Sequence, residues 1–283
     1  MSDDRNPYIT DYGQPVLRES VVAFVDILGY QALIRTAHKK GAAQPLLTML
    51  HEALTAASRH LNELDQDGNP LLPLDLWPKK NLYKIRTFTD NIVIGYPIRD
   101  DAEMELGAVF SQLAFFQLEM VSRGFFVRGA IAIGDLYIDD LTVFGQGLLD
   151  AYDGESKDAR DPRIILSPSA QQAVLQHVNY YSNPLHSPQA RDLYKDADGQ
   201  FFLNYLDSIL IAEDEHGPFF DILANHKSAV EAKLAEYRDQ PAYWAKYAWS
   251  ASYHNFFCDQ YRHFSDEHKI DVSQFQMQPT RIV

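Results

Sequence analysis

The stretch E-S-V-V-A-F-V-D-I-L-G-Y, residues 19–30, runs through β-branched and aromatic residues to Asp26, with Gly29 three positions on. An apolar run of this length without polar alternation suits a strand covered on both faces of a sheet. An acid at the end of such a strand has two readings. It caps a turn or the following helix, or it holds a metal ion together with a second carboxylate. Residues 82–98, L-Y-K-I-R-T-F-T-D-N-I-V-I-G-Y-P-I, supply that second acid. They read as two strands joined by a tight turn, with Asp90-Asn91 as the turn pair. A cap or a turn explains either aspartate singly. Together, in matching strand-end contexts, they point to a shared cation, because carboxylates on adjacent strands repel in a low-dielectric site unless positive charge lies between them.

Outward from these strands, residues 1–18 read as an arm broken by Gly13 and Pro15. Residues 31–61 read as helix, with Leu46, Leu47, Leu50 and Leu54 as an apolar stripe. The Pro-, Gly- and Asp-rich residues 65–81 read as a surface loop. Residues 102–122 form an amphipathic helix in which Leu106, Val109, Phe110, Leu113 and Phe116 recur at helical spacing, with Gly124 as its stop. F-F-V-R-G-A-I-A-I-G-D-L-Y-I-D and T-V-F-G-Q-G follow as a strand pair, L-L-D-A-Y-D-G-E-S-K-D-A as a short helix and P-R-I-I-L-S-P as a strand. The order β-α-ββ-α-ββ predicts an α+β sandwich with a mixed or antiparallel sheet, and argues against a doubly wound parallel one. From about residue 167 the pattern is helical, strongest over 229–261, and interrupted by S-N-P-L-H-S-P and D-E-H-G-P-F.

Composition bounds the function. The chain has 283 residues, 46% of them hydrophobic, and its 25 Lys plus Arg against 39 Asp plus Glu give a formal charge of −14. That sign disfavours a nucleic-acid binder, whose affinity rests on neutralising phosphates. The single cysteine, Cys258, permits no internal disulfide and fits a reducing cytosol; its aromatic setting reads as a buried thiol rather than a nucleophile. The acidic start lacks signal-peptide regions, and no apolar run approaches the roughly 20 residues of a membrane span, so a cytoplasmic location is expected. The ten histidines show no zinc-helix pairing, and neither a Walker end nor a G-x-S-x-G elbow occurs.

Four stretches carry a resemblance. F-V-D-I-L-G-Y is similar to the F-x-D-I-x-G-F element of class III nucleotidyl cyclases, and K-I-R-T-F-T-D-N-I-V-I to their second metal element. F-V-R-G-A-I-A-I-G-D-L-Y-I-D-D-L-T-V-F-G-Q-G resembles their R-x-G-I-x-x-G strand followed by W-G and a helix. Together with the later D-P-R-I, the chain resembles the bacterial pyrimidine cyclases of Pycsar anti-phage defence over about residues 20–166. K-Y-A-W-S-A-S-Y-H-N, from Lys246, looks like that subgroup's own C-terminal extension. The resemblance implies an arm (1–18), a ferredoxin-like cyclase catalytic core (19–166) and a mainly helical C-terminal extension packed on it (167–283).

It also implies a head-to-tail homodimer with composite active sites, and two divalent metal ions, Mn2+ or Mg2+, held by Asp26, Asp90 and the backbone carbonyl of Ile27. The N–H groups of Leu28, Gly29 and Tyr30 would cradle phosphates, with Gly29 opening the backbone to close approach. Arg86 and Thr142 would take the base-reading positions. Arg86 only donates and suits O4 and O2 of uracil, while Thr142 replaces the aspartate that suits an adenine amino group. The expected substrate is therefore UTP, with CTP as the alternative; its cyclic product would act on a separate effector protein. An outward Arg86 paired with a surface acid is the competing reading. One departure stands out. Leu149 and Asp153 occupy the positions of a transition-state Asn and Arg, which leaves Arg128, Lys157, Arg160 and Arg163 as nearby cations and an inactive cyclase-like module as an alternative.

Overall fold

A computed structural model describes residues 6–61, 83–210 and 220–275. The expected loop over 65–81 and the D-E-H-G-P-F break lie outside them. Strand β1 (Arg18–Ile27) is followed by α1 (Tyr30–Lys39), α2 (Ala43–Leu61), the hairpin β2 (Lys84–Phe88) and β3 (Asn91–Pro97), α3 (Glu103–Ser122) and β4 (Val127–Ile138). These four strands lie in the order β2-β3-β1-β4, each antiparallel to its neighbour. That is the ferredoxin-like β-α-β-β-α-β arrangement. The fold is α+β with a mixed, mainly antiparallel sheet, as the order of elements predicts.

Burial divides β1 by the two-residue period of a strand. Val21, Ala23, Val25 and Ile27 face a cluster built with Leu50, Ala53, Ala57 and Leu61 of α2 and Leu106, Val109, Phe110 and Leu113 of α3. Val22 and Phe24 face the opposite cluster, with Tyr8 of the arm, Val93, Leu136 and Ala151. Asp26 shares the second face, so the strand that fills the core also carries the acid out of it.

Beyond β4 come β5 (Val143–Phe144), α4 (Gln146–Asp153), a π-turn (Gly154–Asp158), β6 (Ile164–Leu166) and α5 (Pro168–Val178). Next are α6 (Pro188–Asp192), β7 (Leu193–Lys195), β8 (Phe201–Leu203), α7 (Phe220–Glu236) and α8 (Pro241–Gln260). β6 joins β4 in parallel, β8 joins β6, and β7 forms the far edge.

Three local expectations change. The helix expected over 31–61 is two helices, because Gly41 takes φ 66° and the Ala42 N–H turns back to the Ala37 carbonyl, a left-handed helix stop. In α2 the buried stripe is Leu50, Ala53, Ala57 and Leu61, whereas Leu47 points to solvent. The region after residue 167 is not helical throughout, since β7 and β8 extend the sheet.

Arg163 ties this later region to the rest. It is 1% exposed, ion-paired with Asp196 and Asp198 beside β7 and β8, and lies over the rings of Phe202 and Trp249 of α8. The Trp249 indole N–H donates to Asp196 Oδ2 at 2.6 Å. Losing the buried guanidinium removes its ion pairs and its packing on Phe202 and Trp249, while Asp196 and Asp198 still reach water, so Arg163→Met is expected to lower stability by roughly 1–3 kcal/mol. Urea denaturation measures this, and a loss under about 1 kcal/mol contradicts a clamp at Arg163.

Candidate active site

Asp26 stands at the end of β1, paired across the sheet with Asn91 of β3 and Arg128 of β4. The Ile27 N–H donates to the Asp90 carbonyl at 3.1 Å, which seats the β2–β3 turn over the end of β1. The expected aspartate pair therefore meets. The turn itself is Thr89-Asp90, closed by the Phe88–Asn91 pair, one position earlier than the sequence reading placed it. Thr89 takes φ 55°, a left-handed conformation that costs a non-glycine residue about 1–2 kcal/mol, and its hydroxyl donates to Asp90 Oδ1 at 2.6 Å. The Asn91 amide donates to the same oxygen at 3.3 Å. Alternation along an antiparallel strand points the Ile27 carbonyl to the same side as its N–H, towards Asp90.

Arg128 lies between two acids. Its Nε is 3.7 Å from Asp26 Oδ2 and 2.6 Å from Glu155 Oε1. The shorter contact is an ion pair without hydrogen-bond alignment, and both of its atoms are buried. Glu155, 4% exposed at its side chain, comes from the π-turn after α4. Burial, then the charges of Glu155 and Asp90, push the Asp26 carboxyl up to about 7, against the opposing pull of Arg128. Burial likewise raises Glu155, which Arg128 and Lys246 oppose. The site thus holds more acid than its cations balance.

Two carboxylates and a carbonyl are hard oxygen donors of the kind that Mg2+ and Mn2+ take, so these residues fit a divalent cation. Among the described residues no group of three or more His, Cys, Asp or Glu side chains closes around one ion.

The loop after β1 partly departs from expectation. Gly29 adopts φ 75° at the N-terminus of α1, and a Cβ built there meets nothing within 4 Å, so open space lies above it. The Leu28 N–H is not available to a phosphate, because it donates to the Phe126 carbonyl at 2.8 Å and continues the β1–β4 ladder. Gly29 and Tyr30 stand at the helix start, where backbone N–H groups have no intrahelical partner.

Arg86 and Thr142 form a second group. Arg86 Nη1 donates to the Asp139 carbonyl at 3.1 Å, and the Thr142 N–H donates to Asp139 Oδ1 at 2.6 Å. Asp139 and Thr142 bound the turn between β4 and β5, which the Arg86 guanidinium reaches from β2. Leu136 and the Tyr8 hydroxyl lie so close to Gly95 that a Cβ there would sit 2.3 Å and 2.6 Å from them. Among the described residues no hydrogen bond or ion pair joins this group to Asp26 and Asp90.

Of the remaining cations, Arg163 is in the clamp, Lys157 is paired with Asp153 at 2.7 Å and Arg160 is exposed, while Arg128 stands at Asp26. Leu149 is exposed on α4. Sequence reasoning did not find Glu155, a single acid in a polar run, or Lys246, whose position depends on how α8 packs.

No family model matches the sequence, and no curated protein matches it. Among solved structures, the crystal structure of a class III adenylyl cyclase-like ATP-binding protein from Pseudomonas aeruginosa overlaps with a TM-score of 0.42 and 11% sequence identity. The overlap covers 62% of this chain and 40% of that one. No described helix is long and apolar enough to cross a membrane.

Because folding raises the Asp26 pKa, the folded metal-free protein holds a proton there that the unfolded chain releases, and stability falls as pH rises towards about 7. Asp26→Asn keeps the shape without the charge. The metal-free variant should melt higher than the parent at pH 8, by on the order of 1–2 kcal/mol after solvent screening, and by clearly less at pH 5, where the folded carboxyl still holds its proton and only the unfolded one has ionised. Thermal melting with chelator at both pH values reads this; an offset independent of pH rules out the crowded carboxylate.

Proposed function

We propose that the chain is a metal-dependent uridylate cyclase that converts UTP into 3′,5′-cyclic UMP and pyrophosphate. The observation that carries this reading is the meeting of Asp26 and Asp90 at the end of β1, beside the open helix start at Gly29. Mn2+ or Mg2+ bound there supplies charge neutralisation for the triphosphate and activation of the ribose 3′-hydroxyl. Asp26, Asp90 and the Ile27 carbonyl hold the ions, and Arg128 balances the acids around them. The Gly29 and Tyr30 N–H groups orient phosphates at the positive end of α1. The fold contributes positioning and electrostatics rather than a covalent step.

Arg86 keeps most of its five N–H donors after the bond to Asp139, and these suit the carbonyl edge of uracil. The head-to-tail homodimer that the sequence resemblance implies would set Arg86 and Thr142 of one copy against Asp26 of the other, giving composite sites. The exposed apolar residues Leu141, Phe144, Leu149 and Tyr152 support a surface of this kind. The role of cyclic UMP as a signal to a separate effector in anti-phage defence rests on the sequence resemblance alone. Leu149 and Asp153, which cannot donate to charge developing at phosphorus, favour a second reading: a catalytically silent nucleotide-binding module.

Incubation with each ribonucleoside triphosphate and Mn2+ should give cyclic UMP from UTP, identified by mass, and Asp26→Ala or Asp90→Ala should abolish it with the fold intact. Cyclic CMP from CTP moves the assignment to cytidylate cyclase. If neither Mn2+ nor Mg2+ supports consumption of any triphosphate, the silent module stands. Phe144→Asp is expected to convert a sedimenting dimer into inactive monomer, and a monomeric, active parent removes the composite site.

A further inference from the structure

We propose that Lys246, on α8, is a phosphate-binding residue of the Asp26–Asp90 site and contacts the polyphosphate of the bound nucleotide. This rests on the reading of that site as one that takes a metal–nucleoside triphosphate, and it gives the C-terminal region a direct part in the chemistry.

The geometry begins with how α8 is seated. Tyr247 meets Phe126 edge-on, with ring centroids 4.9 Å apart. Trp244, Tyr247 and Ala248 pack in one apolar cluster with Leu28 and Phe126. The Phe126 carbonyl in turn receives the Leu28 N–H. The residues flanking Lys246 are therefore fixed against the loop that joins Asp26 to α1, and against the start of β4 two positions before Arg128.

Lys246 itself is half-buried, and its ammonium feels Arg128, Asp161 and Glu155. Among the described residues it has no ion pair, although the charges of Asp161 and Glu155 act on it. The acids nearest to it are already engaged. Glu155 is paired with Arg128 at 2.6 Å, and Asp161 is 3.9 Å from Arg163. A half-buried ammonium without a direct partner, beside a guanidinium, is unfavourable on its own. A polyanion entering between the two cations offsets that cost.

The chemistry also calls for a donor. Leu149 and Asp153 offer none on α4, and Lys157 is paired with Asp153. A lysine presents a compact charge on a four-carbon stem, which suits a phosphate oxygen as a point contact. Lys246 opens the stretch K-Y-A-W-S-A-S-Y-H-N, whose Tyr247 seats the helix on Phe126 and whose Trp249 lies against Arg163.

Calorimetric titration of the full-length, Mn2+-loaded protein with inorganic pyrophosphate tests this, using the parent, Lys246→Met, Lys246→Gln and Lys246→Arg. Met or Gln should weaken pyrophosphate binding about 10- to 100-fold, the loss of one charge-assisted hydrogen bond, while Arg stays within a few-fold of the parent. Thermal melting within a few degrees of the parent checks that the fold survives, and having both neutral variants guards against loss of one. Equal pyrophosphate affinity in the parent and a folded neutral variant overturns the assignment, as does a parent that binds no pyrophosphate. Lys246-dependent binding in a protein that cyclises no triphosphate keeps the phosphate contact and removes the cyclase reading instead.

Discussion

The site depends on the register of β1. Its side chains alternate between two filled clusters, so Val21, Ala23, Val25 and Ile27 can only face α2 and α3, and Val22 and Phe24 only the opposite face. A slip of one residue would send Asp26 into the apolar layer and bring Val25 out. Burying an unpaired carboxylate there costs several kcal/mol, which fixes the register as firmly as the packing does. The same register sets Asn91 on one side of Asp26 and Arg128 on the other, and lets the Ile27 N–H hold the Asp90 turn. Core packing thus aims the acid.

What packing assembles, electrostatics leaves unresolved. Asp26, Asp90 and Glu155 crowd one end of the sheet, and Arg128 faces two of them. A chain of net charge −14 gains nothing in stability from such a cluster. It is the arrangement that the proposed metal–nucleotide site would require. The C-terminal region contributes to it through ordinary packing. Arg163 fastens β7, β8 and α8 together, and α8 leans on Leu28 and Phe126. The segment with the weakest sequence meaning thereby reaches the site.

The readable parts of the sequence were those where one local pattern decides the outcome. The β1 run, the β2–β3 hairpin and α3 each have enough residues to show their period, and the two aspartates were legible because each broke an apolar strand. The hairpin turn shifted by one because Thr89, a β-branched residue, accepts a left-handed φ that sequence preference assigns elsewhere. β7 and β8 pass unseen, since three residues cannot display alternation and their pairing with β6 is non-local. The break before α2 turns on Gly41 alone. Glu155 and Lys246 lie far apart in sequence, and their charges come near Arg128 only through the packing of the π-turn after α4 and of α8, so no spacing could announce them.

The central claim is that Asp26 and Asp90 form a divalent-cation site. Electron paramagnetic resonance of Mn2+ tests it most directly, by counting ions bound to the parent and to Asp26→Asn in the presence of a non-hydrolysable UTP analogue. The account predicts two protein-dependent Mn2+ ions per site in the parent and their loss in the variant. Equal Mn2+ binding in a folded Asp26→Asn protein would contradict it.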